Sequence, residues 1–175
     1  MIIATHILVA TALTRRFAAT QPLLAFLLAI ASHYLLDALP HWAYKIASLK
    51  DKNPNNKYWR FTEKSIIHDL TRASIDAAAG LGLAFYIIQP PTGKDTAILL
   101  LVALGSILPD IFQSLYFAFT PEASILPWKF TRKFKFLKPL QEFHERFHTK
   151  IKLDPYPWLG IPAQVIFIFI VILLT

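Results

Sequence analysis

His33, Asp37 and His41 stand four residues apart in SHYLLDALPHW. Residues at i and i+4 share a helix face, so His33 and Asp37 can address one ion. Pro40 precedes His41, so the helix is expected to end before that histidine. HERFH repeats the spacing with His144 and His148. His6 lies near the N-terminus, Asp110 in the triplet LPD, and His68, Asp69, Arg72 and Asp76 in one short run. On a helix, Asp69 and Asp76 share a face, and His68, Arg72 and Asp76 form an i, i+4, i+8 row. Neutral imidazole with carboxylate suits zinc, and also iron or manganese. Cysteine is absent, which excludes thiolate ligation and disulfides and gives no evidence of an oxidising compartment.

Each group also has a plainer reading. His6 could hydrogen-bond a neighbouring helix. His33 and Asp37 could be a buried hydrogen-bonded pair, and His144 and His148 an exposed face. Asp110 follows Pro109, which could kink its helix and leave carbonyls needing partners. His68 and Asp69 are close enough to the expected water boundary to be merely solvated. Asp76 could bind metal or pair with Arg72. The ligand reading gains from distribution: every histidine falls in or just beyond one half of the expected bilayer, and ionisable groups at that depth are costly.

The elements that must position these groups are apolar helices. Hydrophobic residues make up 55% of the 175 and charged residues only 17%, too few charges to coat a water-facing globule. Pro22–Pro40, Glu63–Gln89, Thr96–Phe119 and Trp158–Leu174 are candidate spans. At about 1.5 Å per residue Pro22–Pro40 reaches roughly 28 Å, near the thickness of a hydrocarbon core. Ile2–Leu13 is a fifth and marginal segment. No basic n-region precedes it, so it is expected to be a retained first helix rather than a signal peptide. Ala43–Thr62 is a polar, basic loop and Pro90–Asp95 a tight turn. Thr131–His148 is expected as an amphipathic helix at the interface. Its phenylalanines, Phe130, Phe134, Phe136, Phe143 and Phe147, interleave with lysines as a membrane-facing stripe, with base stacking the remoter alternative.

Five crossings place Ala43–Thr62 and Pro121–Pro157 on the same side as the N-terminus. Nearly all lysines and arginines fall there, against Arg15, Arg16 and Lys94 opposite. The positive-inside rule makes the basic side cytoplasmic. The net charge of +7 is thereby accounted for, and nucleic acid is not required. The fold class expected is all-α: a single polytopic membrane helix bundle over 1–175, with about five apolar segments and one interfacial helix.

THILVATAL, SHYLLDALPHW, GSILPD and HERFH together resemble a family of inner-membrane metal-dependent hydrolases, itself distantly similar to zinc-dependent phospholipase C. The resemblance implies a metal site at His6, His33, Asp37, His41, Asp110, His144 and His148, and an inner-membrane location. The family's histidine pair is commonly spaced by five rather than four, and the order of the LPD and SHxxLD elements also differs from the commoner arrangement. With His68 added from the residues themselves, one to three divalent ions, zinc foremost, are expected.

The chemistry this set suggests is hydrolysis of a phosphate ester, since bound metal lowers the pKa of water and paired ions steady charge on phosphoryl oxygens. Asp69 or Asp76 is the candidate general base, and Arg72 a bidentate holder of phosphate. Membrane lipids and an anionic, phosphate-containing substrate are the expected partners. Two other classes stay open: a scaffold stapled by buried metal, and a small transporter. The transporter is disfavoured because the opposite half of each helix is plain hydrocarbon.

Overall fold

The computed structural model describes residues 1–46, 49–50, 60–61, 66–119, 134–151 and 153–175. Six helices are present among them: α1 Ile3–Thr14, α2 Pro22–Ala38, α3 Ile66–Ile88, α4 Gly93–Phe119, α5 Leu137–Phe147 and α6 Pro157–Leu174. The all-helical expectation holds apart from one two-residue antiparallel ladder, β1 Leu49–Lys50 with β2 Arg60–Phe61, in the register Leu49↔Phe61 and Lys50↔Arg60. The expected stretch Thr131–His148 is helical only over α5, and Phe130 with the start of that stretch lies outside the described residues. Most of the basic loop Ala43–Thr62 also lies outside them.

Two of these helices, α4 and α6, are long and apolar enough to cross a membrane, rather than the expected five. The reasons are local. α1 has 12 residues, too few for a span, and α2 has 17, at the lower limit. α3 has 23 residues, but Asp69, Arg72 and Asp76 make its first half polar.

The contacts divide the chain into two compact units. One comprises residues 1–44, 74–108 and 147–175, the other 45–73 and 109–146. In the first unit, α1 is apolar on every side and nearly every residue is buried, as expected of a central helix. α2 starts at Pro22, suited to the first helical position, and stops before Pro40 with Leu39 extended. Its buried face is Ala25, Ala29, Ser32, His33, Leu36 and Asp37, mostly small side chains that allow close approach to α1. α6 starts at Pro157 and buries only Gly160 and Gln164. Gln164 ties three segments: its Oε1 accepts from the Thr5 hydroxyl at 3.3 Å, and its Nε2 donates to the Trp42 carbonyl at 2.8 Å.

Two glycines set the closest approaches. A Cβ on Gly80 of α3 would lie 2.6 Å from the Ala4 Cα, and one on Gly160 would lie 2.5 Å from the Trp42 Cβ. α3 closes on Gln89, which has φ of 46° and donates its N–H to Phe85, ahead of Pro90 and Pro91. Thr92 opens α4: it accepts the Asp95 N–H at 3.2 Å and donates its hydroxyl to the Asp95 carboxylate at 2.6 Å. In the second unit, Tyr116, Phe117 and Leu137 form a core with Phe112, Leu115 and Phe134 around them.

Candidate metal centre

Asp37 sits in the last turn of α2, fully buried. Its Oδ2 is 3.2 Å from the His33 Nε2, one turn earlier on the same helix. Its Oδ1 is 3.4 Å from the His6 Nε2 on α1 and 3.0 Å from the Met1 amino nitrogen. The His148 Nε2 approaches Oδ2 at 3.7 Å. His41 completes the group: one ligand atom each of Asp37, His41 and His148 falls within 4.8 Å of the others. A single carboxylate is thus ringed by nitrogen, and the group could hold a metal ion.

Protonation follows from what the far side of each ring does. The His33 Nδ1 is 2.7 Å from the Ser106 carbonyl, which can only accept, so Nδ1 carries the proton. The His41 Nδ1 is 2.8 Å from the Leu39 carbonyl and is protonated for the same reason. A neutral ring with Nδ1–H so committed turns the Nε2 lone pair inward. In His33 that lone pair meets a carboxylate oxygen, which calls for a cation or a further proton between them. An imidazole that donates its outer N–H to a carbonyl and aims the other nitrogen at a shared point is the usual arrangement of a metal-ligating histidine.

His41 is held neutral. Burial pushes its pKa down from 6.5 to about 4, and the positive Met1 amino group adds to the effect, against the Leu39 carbonyl and Asp37. His6 stacks on His33 with ring centroids 4.1 Å apart, and neither of its ring nitrogens makes a hydrogen bond of good geometry. Its Nε2 lies 3.4 Å from the Asp37 Oδ1, at the long end for a hydrogen bond. Two buried nitrogens without such bonds cost more than a water-exposed pair, and a bound cation is one way to satisfy them.

The two sides of Asp37 differ in access. His6 and His33 have no exposed surface. His41 is almost buried, but the His148 side chain is 34% exposed and gives the group its open edge. The segment after α5 is strapped to the end of α2. Thr149 N–H donates to the Asp37 carbonyl at 2.8 Å, and Leu153 N–H donates to the His41 carbonyl at 3.2 Å. Ala43 N–H adds a bond to the Asp154 carboxylate at 3.0 Å.

The structure therefore gathers His6, His33, Asp37, His41 and His148 within the first unit. His148 arrives by a different route from the one its spacing implies. α5 ends at Phe147, so His144 and His148 are not on one helical face. The strap places His148, while His144 is buried on α5 in the second unit. Asp110, half-buried on α4 past Pro109, also belongs to the second unit, as do His68, Asp69 and Arg72. The helix runs through Pro109 without interruption. His68 is largely exposed and 3.6 Å from Asp69; Arg72 is exposed as well.

Asp76 has another task. Its carboxylate accepts the N–H groups of Ile3 at 2.7 Å and Ala4 at 3.3 Å, and also the Tyr44 hydroxyl. It caps the N-terminus of α1, whose first donors have no partner within the helix. Gln164 is the positioning residue that spacing rules pass over, although its isolation as the one polar group in an apolar helix was a readable signal. In the comparisons with known proteins, no family model, no curated protein and no solved structure matches the chain.

Proposed function

We propose that this chain is a membrane-embedded, metal-dependent hydrolase acting on a phosphoester of a lipid or lipid-linked substrate. The observation that carries the reading is the Asp37 carboxylate, buried among imidazoles of which His33 and His41 give their outer N–H to backbone carbonyls. That donor set, nitrogen and oxygen without sulfur, fits zinc best. When bound, the metal supplies Lewis acidity and lowers the pKa of water toward neutrality. His6, His33 and Asp37 form the closed side of the centre. His41 and His148 form the open side, where the exposed edge of His148 admits substrate. More than one ion, with Asp37 offering an oxygen to each, is in keeping with the way Oδ1 and Oδ2 face different rings.

The membrane part of the reading draws on α6, which buries Gly160 and Gln164 and exposes Ile161, Val165, Ile166, Phe169 and Ile170. A wholly apolar helix so little covered by protein suits hydrocarbon. The five-crossing inner-membrane arrangement, with the N-terminus and basic loops cytoplasmic, rests on the charge distribution of the sequence. The roles of Asp69 as general base and Arg72 as phosphate holder, and the ligand role of His68, rest on residue type and spacing, and the ligand roles of Asp110 and His144 on these together with the family resemblance.

A second reading, a non-catalytic scaffold stapled by metal, is favoured by the complete closure around His6, His33 and Asp37. One experiment addresses both. Elemental analysis of the purified protein is expected to find zinc. Assay against a panel of phospholipids is expected to show turnover that His148→Ala removes, with most metal retained. Metal with no turnover by wild type on any phosphoester favours the scaffold. No metal in a folded, purified protein overturns both readings.

A further inference from the structure

α5 has one row of side chains covered by protein and, beside it, an apolar row that is not. Leu137, Gln141 and His144 are buried. Leu140, Phe143 and Phe147, with Phe136 just before the helix, form the other row and are 40%, 46%, 40% and 60% exposed. At about 100° per residue the three helical members lie within roughly 60° of arc, next to the buried row. Lys138, Glu142 and Glu145 lie opposite. A helix with one quadrant on protein, the next apolar and open, and the rest charged has the section of a helix lying in a bilayer surface.

We propose that the row Phe136, Leu140, Phe143 and Phe147 docks on the surface of a lipid bilayer that contains anionic headgroups. The choice of occupant comes from charge. The eight residues 129–136, which run up to the helix in sequence, include Lys129, Arg132, Lys133 and Lys135 and no acidic residue. Lysines and arginines that precede such a row in sequence are drawn to anionic phosphates by about 1 kcal/mol each when near the surface. Phenyl rings then occupy the boundary between headgroup and acyl chain. Four side chains are too small a patch for a stable dimer, which needs some 20–30 residues a side. The inference rests on the membrane part of the proposed function and is independent of the metal.

The absence of cysteine from the chain makes single-cysteine labelling clean. Leu140→Cys, Phe143→Cys and Glu142→Cys, each carrying a nitroxide, are placed in full-length protein in vesicles of phosphatidylcholine with phosphatidylglycerol. Collisions with oxygen report lipid exposure, and collisions with a water-soluble nickel chelate report water exposure. Positions 140 and 143 are expected to favour oxygen several-fold and position 142 to favour nickel. In vesicles of phosphatidylcholine alone, nickel access at 140 and 143 is expected to rise. Nickel access at 140 and 143 in both lipids overturns the proposal, and so does exclusion of both reagents, the mark of a protein partner such as a second copy. Lipid exposure unchanged without phosphatidylglycerol overturns the choice of an anionic surface. Thermal unfolding of each labelled variant confirms that it is folded, and a protein without metal that still shows the lipid pattern separates this inference from the hydrolase reading.

Discussion

His6 and His33 stand within helices α1 and α2 and show no surface, whereas His41 and His148 stand on the segments that follow α2 and α5, and His148 is partly open. The first pair is placed by helix packing. Its rings stack, the small residues of α2 bring α1 close, and the Ser106 carbonyl fixes the His33 tautomer. The second pair is placed by two backbone hydrogen bonds of the strap, from Thr149 and Leu153. Packing in a core is cooperative, while a strap with few buried contacts opens at lower free energy. One carboxylate therefore joins a rigid half to a half that can yield, an arrangement suited to a centre that must both retain a metal and admit a substrate.

The largest effect is expected where the halves meet. Asp37→Ala removes the carboxylate that these imidazoles surround. Metal content is expected to fall to background, beyond the roughly 10–100-fold loss of affinity that removing an outer-shell partner costs. Elemental analysis checks this. Retention of metal would dissolve the comparison, because the two halves would then share nothing.

The next effect separates the halves. Gly80→Ala puts a methyl 2.6 Å from the backbone of Ala4, two residues before His6, and so strains the rigid side. Gly160→Ala puts one 2.5 Å from Trp42 and 3.1 Å from Leu153, and so strains the strap. Each is expected to cost about 1–3 kcal/mol by overpacking, read from thermal unfolding. Hydrogen exchange is expected to rise in α1 for the first variant and at 149–153 for the second. Equal changes throughout both regions in both variants would mean that Asp37 is held by one cooperative block and not two.

The sequence carried the rigid half well. The i,i+4 pair His33 and Asp37 depends only on helix geometry, and Pro40 correctly ends α2 before His41. His6 was found because a histidine in an apolar stretch needs a partner. The yielding half was legible in its motifs, which name His41 and His148, but not in how the two are brought together. The bonds that place His148 join Thr149 to Asp37 and Leu153 to His41, backbone contacts across more than a hundred residues that no side-chain spacing encodes. Helical periodicity therefore put His148 on a face with His144, whereas α5 stops one residue short. The count of crossings was met only in part, by α4 and α6, for a related reason. A polar opening to α3 and two short helices look like membrane segments when summed over apolar residues, and length and charge tell them apart only once helix ends are known.

The smallest effect concerns Asp76, and it bears on whether the rigid half is reinforced from outside. Its carboxylate accepts the Ile3 and Ala4 N–H groups, two of the four donors that the first turn of α1 leaves unpaired. Asp76→Ala is expected to cost about 1 kcal/mol, the usual value of a lost helix cap, and to loosen α1 near His6. Asp76→Asn keeps one acceptor oxygen and is expected to recover most of that stability with activity near wild type. A general base behaves in the opposite way, since the amide cannot take a proton at neutral pH. Stability unchanged and turnover abolished in Asp76→Asn would therefore return Asp76 to the chemistry and remove it from the frame that holds His6.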